Sequence, residues 1–104
     1  MNGIGASPGV AAGRFFVAEA LADLDDFEAG GILVVRQSNP AWIAGFLAAA
    51  GAVAEHGGLV SHAAIAAREL GLPCVVGVER ATSVIQTGQT GRIDGATGVV
   101  AVDG

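Results

Sequence analysis

The stretch Gly57-Gly58-Leu59-Val60-Ser61-His62-Ala63-Ala64 sets a glycine pair and a serine just ahead of one of the chain's two histidines. Glycines let the backbone take turns that other residues resist. A serine at a helix start accepts from N–H groups that have no partner inside the helix. The histidine then opens a helix, where free N–H groups and about half a positive charge favour anions. His62 has four open roles: companion to a cap, metal ligand, acid or base, or nucleophile toward an anionic group. No Gly-Lys-Ser/Thr follows the glycines, so nothing supports a P-loop cradle for a nucleotide triphosphate.

Phosphoryl transfer is a coherent use of such a residue. Free imidazole titrates near pH 6.5, so it is largely neutral at physiological pH. A helix N-terminus disfavours imidazolium, which keeps a lone pair available, and it favours the negative phosphoryl group once attached. The plainer reading is a serine cap beside a surface histidine, and periodicity does not separate the two.

The neighbours have their own alternatives. Glu55, ahead of the glycines, could hydrogen-bond the loop or the imidazole, or be a solvated carboxylate at a strand end. His56 reads as a solvated loop residue. Arg68 follows His62 by six positions, and at about 100° per residue it points well away from it. Arg68 and Glu69 therefore read as members of surface or interface salt bridges. Phosphoryl stabilisation by Arg68 would need an irregular helix start. Cys74, at the head of an apolar run, reads as a small buried side chain.

These residues need elements to hold them. Residues 3–9 read as a turn-rich entry, and residues 14–18 as a first strand. LADLDDFEAG reads as an acidic loop with a short helical turn. Ile32-Leu33-Val34-Val35 is a continuous apolar run, the mark of a strand buried on both faces. Asn39 and Pro40 start a helix, with Ile43, Phe46 and Leu47 as its core stripe and Gly51 as its end. A short strand over 52–54 leads to the glycines, and a second helix runs from Ser61 to Leu70, stopped by Gly71. A strand over 74–78, a short helical turn over 81–85, and strands over 92–94 and 99–102 around an Asp-Gly turn complete the chain. Strand, helix, strand, helix, strand in the middle implies a parallel sheet with right-handed crossovers. The flanking strands suit antiparallel pairing. The expectation is a single α/β domain over 1–104 with a mixed sheet.

Composition narrows the partners. The chain has 104 residues, 52% of them hydrophobic and only 14% charged, which places it among globular proteins. Five Lys+Arg against ten Asp+Glu give a net charge of −5. That argues against nucleic acid or anionic membrane as partner, since both require clustered cations. One Cys and two His make a poor set for structural zinc. No apolar run approaches the roughly 18 residues of a membrane span, and the opening lacks the features of a signal peptide. A cytoplasmic location is expected.

GGLVSHAAIAARELGLPCVVGV resembles the signature of the phosphohistidine, or mobile, domain of the phosphoenolpyruvate (PEP)-utilising enzymes. That family includes PEP synthase, pyruvate phosphate dikinase, enzyme I of the sugar phosphotransferase system and rifampicin phosphotransferase. ASPGVAAGR resembles the family's opening turn and first strand. GGILVVRQSNPAW resembles its second strand and helix start, and TGQTGRIDGATGVVAV its closing strands. Val60 departs from the threonine that several members carry before Ser-His.

The resemblance implies a swivelling three-layer β/β/α domain whose His62 is transiently phosphorylated. Gly57 and Gly58 form its loop, with Ser61, Arg68 and Glu55 as supporting candidates. It implies partners of two kinds: an ATP-grasp-type nucleotide-binding subunit (or a PEP-dependent one), and an acceptor-binding subunit for pyruvate or another small compound. ATP (or PEP) and Mg²⁺ are expected on the partners, with no metal on this domain. A chain of this size has neither partner domain. It is a free-standing carrier, weakly favoured by Met1 before the domain start, or a domain cut from a longer polypeptide. The alternative of another class is a docking or regulatory module that retains the fold without turnover.

Overall fold

The computed structural model describes residues 1–103. In chain order the strands are β1 (Ile4–Ser7), β2 (Val10–Ala18), β3 (Ile32–Val35), β4 (Gly51–Ala54), β5 (Cys74–Val76), β6 (Thr90–Asp94) and β7 (Val99–Val102). The helices are α1 (Ile43–Ala48), α2 (His62–Leu70) and α3 (Ala81–Val84), with 3-10 turns at Leu21–Asp26 and Pro40–Trp42. The strands form one sheet in the order β1-β5-β4-β3-β2-β6-β7. β2, β3, β4 and β5 are parallel neighbours, while β1, β6 and β7 pair antiparallel.

The sheet folds over itself through β2. Residues Val10 to Arg14 pair with β6, and Phe15 to Ala18 pair with β3. Asn2 bridges to Val99, and the Gly3 N–H donates to the Gly98 carbonyl at 2.8 Å, so the far edges meet as well. The close approach needs glycine at the β6–β7 turn: a Cβ on Gly95 would run into the Ser7 carbonyl.

The fold has three layers. α1 and α2 cover one face of the parallel strands, and β6, β7 and the start of β2 cover the other. β3 shows why an unbroken apolar run is required: Leu33 and Val35 pack toward the helices, Ile32 and Val34 toward the second sheet layer. Under α2 the facing residues are small. Ala63, Ala64, Ala66 and Ala67 sit in one core with Ala52, Ala54 and Cys74, so the helix lies close on the sheet. A larger side chain there would overpack the contact.

Five details differ from the sequence expectation. Residues 4–7 are a strand, paired with β5 along an edge, although Gly-Ala-Ser is poor in β-formers. The flanking strand β2 pairs parallel with β3 over half its length. Gly51 begins β4, and the preceding helix stops at Ala48. The core stripe there is Trp42 and Phe46; Ile43 and Leu47 are 39% and 65% exposed, because the 3-10 start turns the helix relative to the sheet. Finally, β5 ends at Val76, where Gly77 takes φ +66° and leads the chain out of the sheet.

Candidate functional site

The parallel strands β3 and β4 end side by side, and their loops make the site. The pairing continues past the strand ends: the Glu55 N–H donates to the Val35 carbonyl at 2.9 Å, and the His56 N–H to the Arg36 carbonyl at 2.8 Å. The chain then turns through Gly57 and Gly58 into α2. Gly57 has φ +120°, and a Cβ on it would lie 2.8 Å from Ser61 Oγ, so both conformation and space call for glycine. Gly58 has open space instead, and its role is its carbonyl. Ser61 Oγ donates to that carbonyl at 2.7 Å and accepts from the Ala64 N–H at 3.4 Å. The predicted cap is therefore present, and it also fastens the loop. Gly71, at φ +66°, closes the helix where expected.

His62 is the first residue of α2 and half-buried. Its Nδ1 lies 3.0 Å from Ser38 Oγ, in the loop after β3. Nε2 has no hydrogen-bond partner among the described residues, and neither do the backbone N–H groups of His62 and Ala63. One ring nitrogen is thus fixed and the other left for a ligand, at a helix end suited to anions. Sequence reasoning missed Ser38. That residue stands just ahead of the Asn39-Pro40 helix start, and the contact spans 24 positions.

Arg68 has no hydrogen bond to His62 among the described residues, yet it belongs to the site's scaffold. Helical side chains lean toward the N-terminus. Its guanidinium donates to the Ala6 carbonyl at 3.2 Å and to the Leu59 carbonyl, tying β1 to the loop before α2. The salt bridge expected of Arg68 is replaced by these two carbonyls, and Glu69 has no ion pair among the described residues.

Glu55 turns away from His62, toward α3. Its Oε1 accepts from the Thr82 N–H at 2.9 Å and the Thr82 hydroxyl at 2.7 Å, while Oε2 lies 3.5 Å from His56 Nε2. The Thr82 hydroxyl first, then the Thr82 N–H, hold its carboxyl below the ordinary value. Cys74 is fully buried, and burial pushes its thiol up to about 12 against a weaker pull from Arg68. It is a packing residue. Among the described residues, no group of three or more His, Cys, Asp or Glu could hold a metal ion, and no helix is long and apolar enough to cross a membrane.

Three comparisons bear on this geometry. Residues 27–98 match the family described as "PEP-utilising enzyme, mobile domain". The chain is 44% identical over 100 residues to phosphoenolpyruvate synthase of Pyrococcus furiosus, covering 96% of this chain and 12% of the relative. It is 47% identical to a Streptomyces rifampicin phosphotransferase, covering 96% and 11%. The chain therefore spans about an eighth or less of the length of these relatives. Among solved structures, it resembles Enzyme I (nEIt) in solution with a TM-score of 0.66 and 34% identity, over 77% of this chain and 33% of that one. The holo-form of Thermococcus kodakaraensis aconitase X gives a TM-score of 0.73 at 20% identity, over 97% and 95%, a likeness of fold alone.

Proposed function

The chain belongs to the mobile-domain family of PEP-utilising enzymes, and from that premise we propose that it is a phosphoryl carrier whose transient acceptor is Nε2 of His62. The observation that carries this reading is the contact of Ser38 Oγ with His62 Nδ1 at 3.0 Å. With Nδ1–H donating to the hydroxyl oxygen, the ring's lone pair is on Nε2. Ser38 is thus a positioning residue, acting through the imidazole it orients.

Nε2 attacks the donor's terminal phosphorus. A P–N bond forms as the bond to the donor's bridging oxygen breaks, and that electron pair leaves with the donor. The ring gains positive character, which a hydroxyl oxygen accepting from Nδ1–H stabilises. In the second half-reaction an acceptor oxygen attacks phosphorus, and the P–N electrons return to Nε2. The unpaired N–H groups of His62 and Ala63 favour the phosphoryl oxygens, and the Arg68 brace and the Ser61–Gly58 bond keep the loop in place. The donor is ATP on an ATP-grasp-type partner, with Mg²⁺ held there, or PEP; the acceptor is pyruvate or another small compound on a second partner. Exposed Leu59, Val60 and Ile65 beside the histidine offer these partners an apolar rim.

The test supplies the ATP-binding and acceptor-binding portions of a PEP synthase as separate chains, with labelled ATP. The label is expected on this domain in an acid-labile, base-stable form and is lost in His62→Ala. Stoichiometric labelling of His62→Ala would overturn the proposal.

A further inference from the structure

The contact between Ser38 and His62 has two possible directions. In the carrier reading, Nδ1–H donates to the hydroxyl oxygen. With the ring hydrogen on Nε2 instead, the hydroxyl donates to Nδ1 across the same 3.0 Å, and the imidazole becomes a base beside a serine. A serine held against a base is the basic unit of covalent catalysis, because loss of its proton makes the oxygen nucleophilic.

The surroundings of Ser38 suit that use. Ser38 is half-buried and lines an open crevice of about 230 Å³ at the ends of β3 and β4, with Gln37, His56, Gly57, Ser61 and Ala63. His62 does not line this crevice, so it supports the serine without filling the space in front of it. The Ser61 hydroxyl is already committed, donating to the Gly58 carbonyl and accepting from the Ala64 N–H, which leaves Ser38 as the hydroxyl the crevice can use. The walls also carry idle donors. The N–H groups of Gly57 and Ala63 have no partner among the described residues, and Ala63 lies in the first turn of the nine-residue α2. Donors of this kind stabilise the negative oxygen that forms when a carbonyl is attacked. Among the described residues no acidic side chain lines the crevice, so nothing there repels that charge.

We propose that Ser38 and His62 form a nucleophile–base pair that accepts short acyl groups from activated esters, a second activity of the same imidazole. It uses Nδ1 where the carrier uses Nε2, and it does not rest on the carrier reading. Ser38 Oγ attacks the ester carbonyl carbon as its proton passes to Nδ1. The bond from that carbon to the leaving oxygen breaks, the electron pair departs with the oxygen, and the proton on Nδ1 goes to it. Water then attacks the acyl carbon and gives a proton to Nδ1. The bond to Oγ breaks, the proton returns to Oγ, and a carboxylic acid is released. The volume of the crevice limits the acyl part to a short chain.

The test adds p-nitrophenyl acetate to the domain, follows release of p-nitrophenolate, and locates acetyl groups by peptide mass spectrometry. All proteins carry His56→Gln, which removes the exposed imidazole's own reaction with the ester. The acetyl group is expected on Ser38, with release roughly a hundredfold faster than from free imidazole at equal concentration. Ser38→Ala should fall back to the rate of free imidazole, and His62→Ala should leave Ser38 unmodified. The His56→Gln protein unfolded in urea is the reference that needs no change at the site, and its Ser38 should also stay unmodified. Acetyl groups on His62 alone, no adduct at Ser38, undiminished release by Ser38→Ala, or equal labelling of the unfolded chain would each overturn the inference. None of these outcomes touches the carrier reading, whose own test is the phosphorylation of Nε2.

Discussion

At the scale of single residues, the site depends on which imidazole nitrogen holds the proton. A free histidine side chain favours the tautomer with hydrogen on Nε2, the wrong form for a nucleophile at that atom. In the proposed carrier, Ser38, 3.0 Å from Nδ1, reverses the preference by accepting from Nδ1–H rather than donating to Nδ1. One net hydrogen bond contributes about 1 kcal/mol, enough to shift a tautomer ratio several-fold. Ser38→Ala is therefore expected to slow phosphorylation of His62 up to roughly fivefold, with little change in thermal stability because the loop is partly exposed. Ser38→Thr, which keeps the hydroxyl, should retain most of the rate. Long-range ¹H–¹⁵N spectra supply the readout that a merely structural role would not move. In Ser38→Ala the His62 ring should shift toward the Nε2–H form, and an unchanged tautomer would show that Ser38 does not set it.

At the scale of elements, the loop after β4 serves two helices: it leads into α2 and caps α3. α3 has only four residues, opens from Arg80 at φ +63°, and has no cap from its own side chains. Glu55 supplies the missing acceptor, taking both the Thr82 N–H and its hydroxyl. Its carboxyl is held below the ordinary value of 4.5, so the folded state favours the ionised form. The stabilisation is complete above that value and is lost as pH falls through the lower, folded-state one. Glu55→Gln is expected to cost about 1 kcal/mol at pH 7, a melting point lower by roughly 4–8 °C, because a charged acceptor becomes neutral. The gap from wild type should narrow in thermal melts below pH 4.5, and a gap independent of pH would mean the charge contributes nothing.

The elements also show what could be read in advance. Ser61, His62 and Gly71 announced α2, because a cap and a left-handed stop are local devices. The buried runs of β3 and β5 announced parallel strands for a similar reason. Ser38 and Glu55 did not announce their contacts, since each acts across the fold on a residue more than twenty positions away. β1 was hidden because its sequence, IGAS, has weak strand preference, and its order comes from pairing with β5 and from the Arg68 bond at Ala6.

At the scale of the whole molecule, β2 makes the two cores interdependent. One core joins α1 and α2 to the parallel strands, and the other joins those strands to β6, β7 and α3. Phe15 sits where β2 passes from one pairing to the other. It is 1% exposed, donates its N–H to the Gln89 carbonyl, and accepts from the Gly88 N–H. Its ring belongs to the second core, on the other side of the sheet from α1 and α2. Trp42, the chain's single tryptophan, is buried in the first. If the curled sheet is one cooperative unit, damage at Phe15 must be felt at Trp42 even though they belong to different cores. Phe15→Leu is expected to lower unfolding free energy by roughly 1–2 kcal/mol, from lost contacts and a small void. Trp42 fluorescence and far-ultraviolet circular dichroism should move together to a lower urea midpoint with unchanged slope. A tryptophan transition left at the wild-type midpoint would mean that the helix layer carrying His62 unfolds on its own. Coincident transitions would mean that the layer holding His62 and the second sheet layer unfold as one cooperative unit, as the proposed carrier role requires.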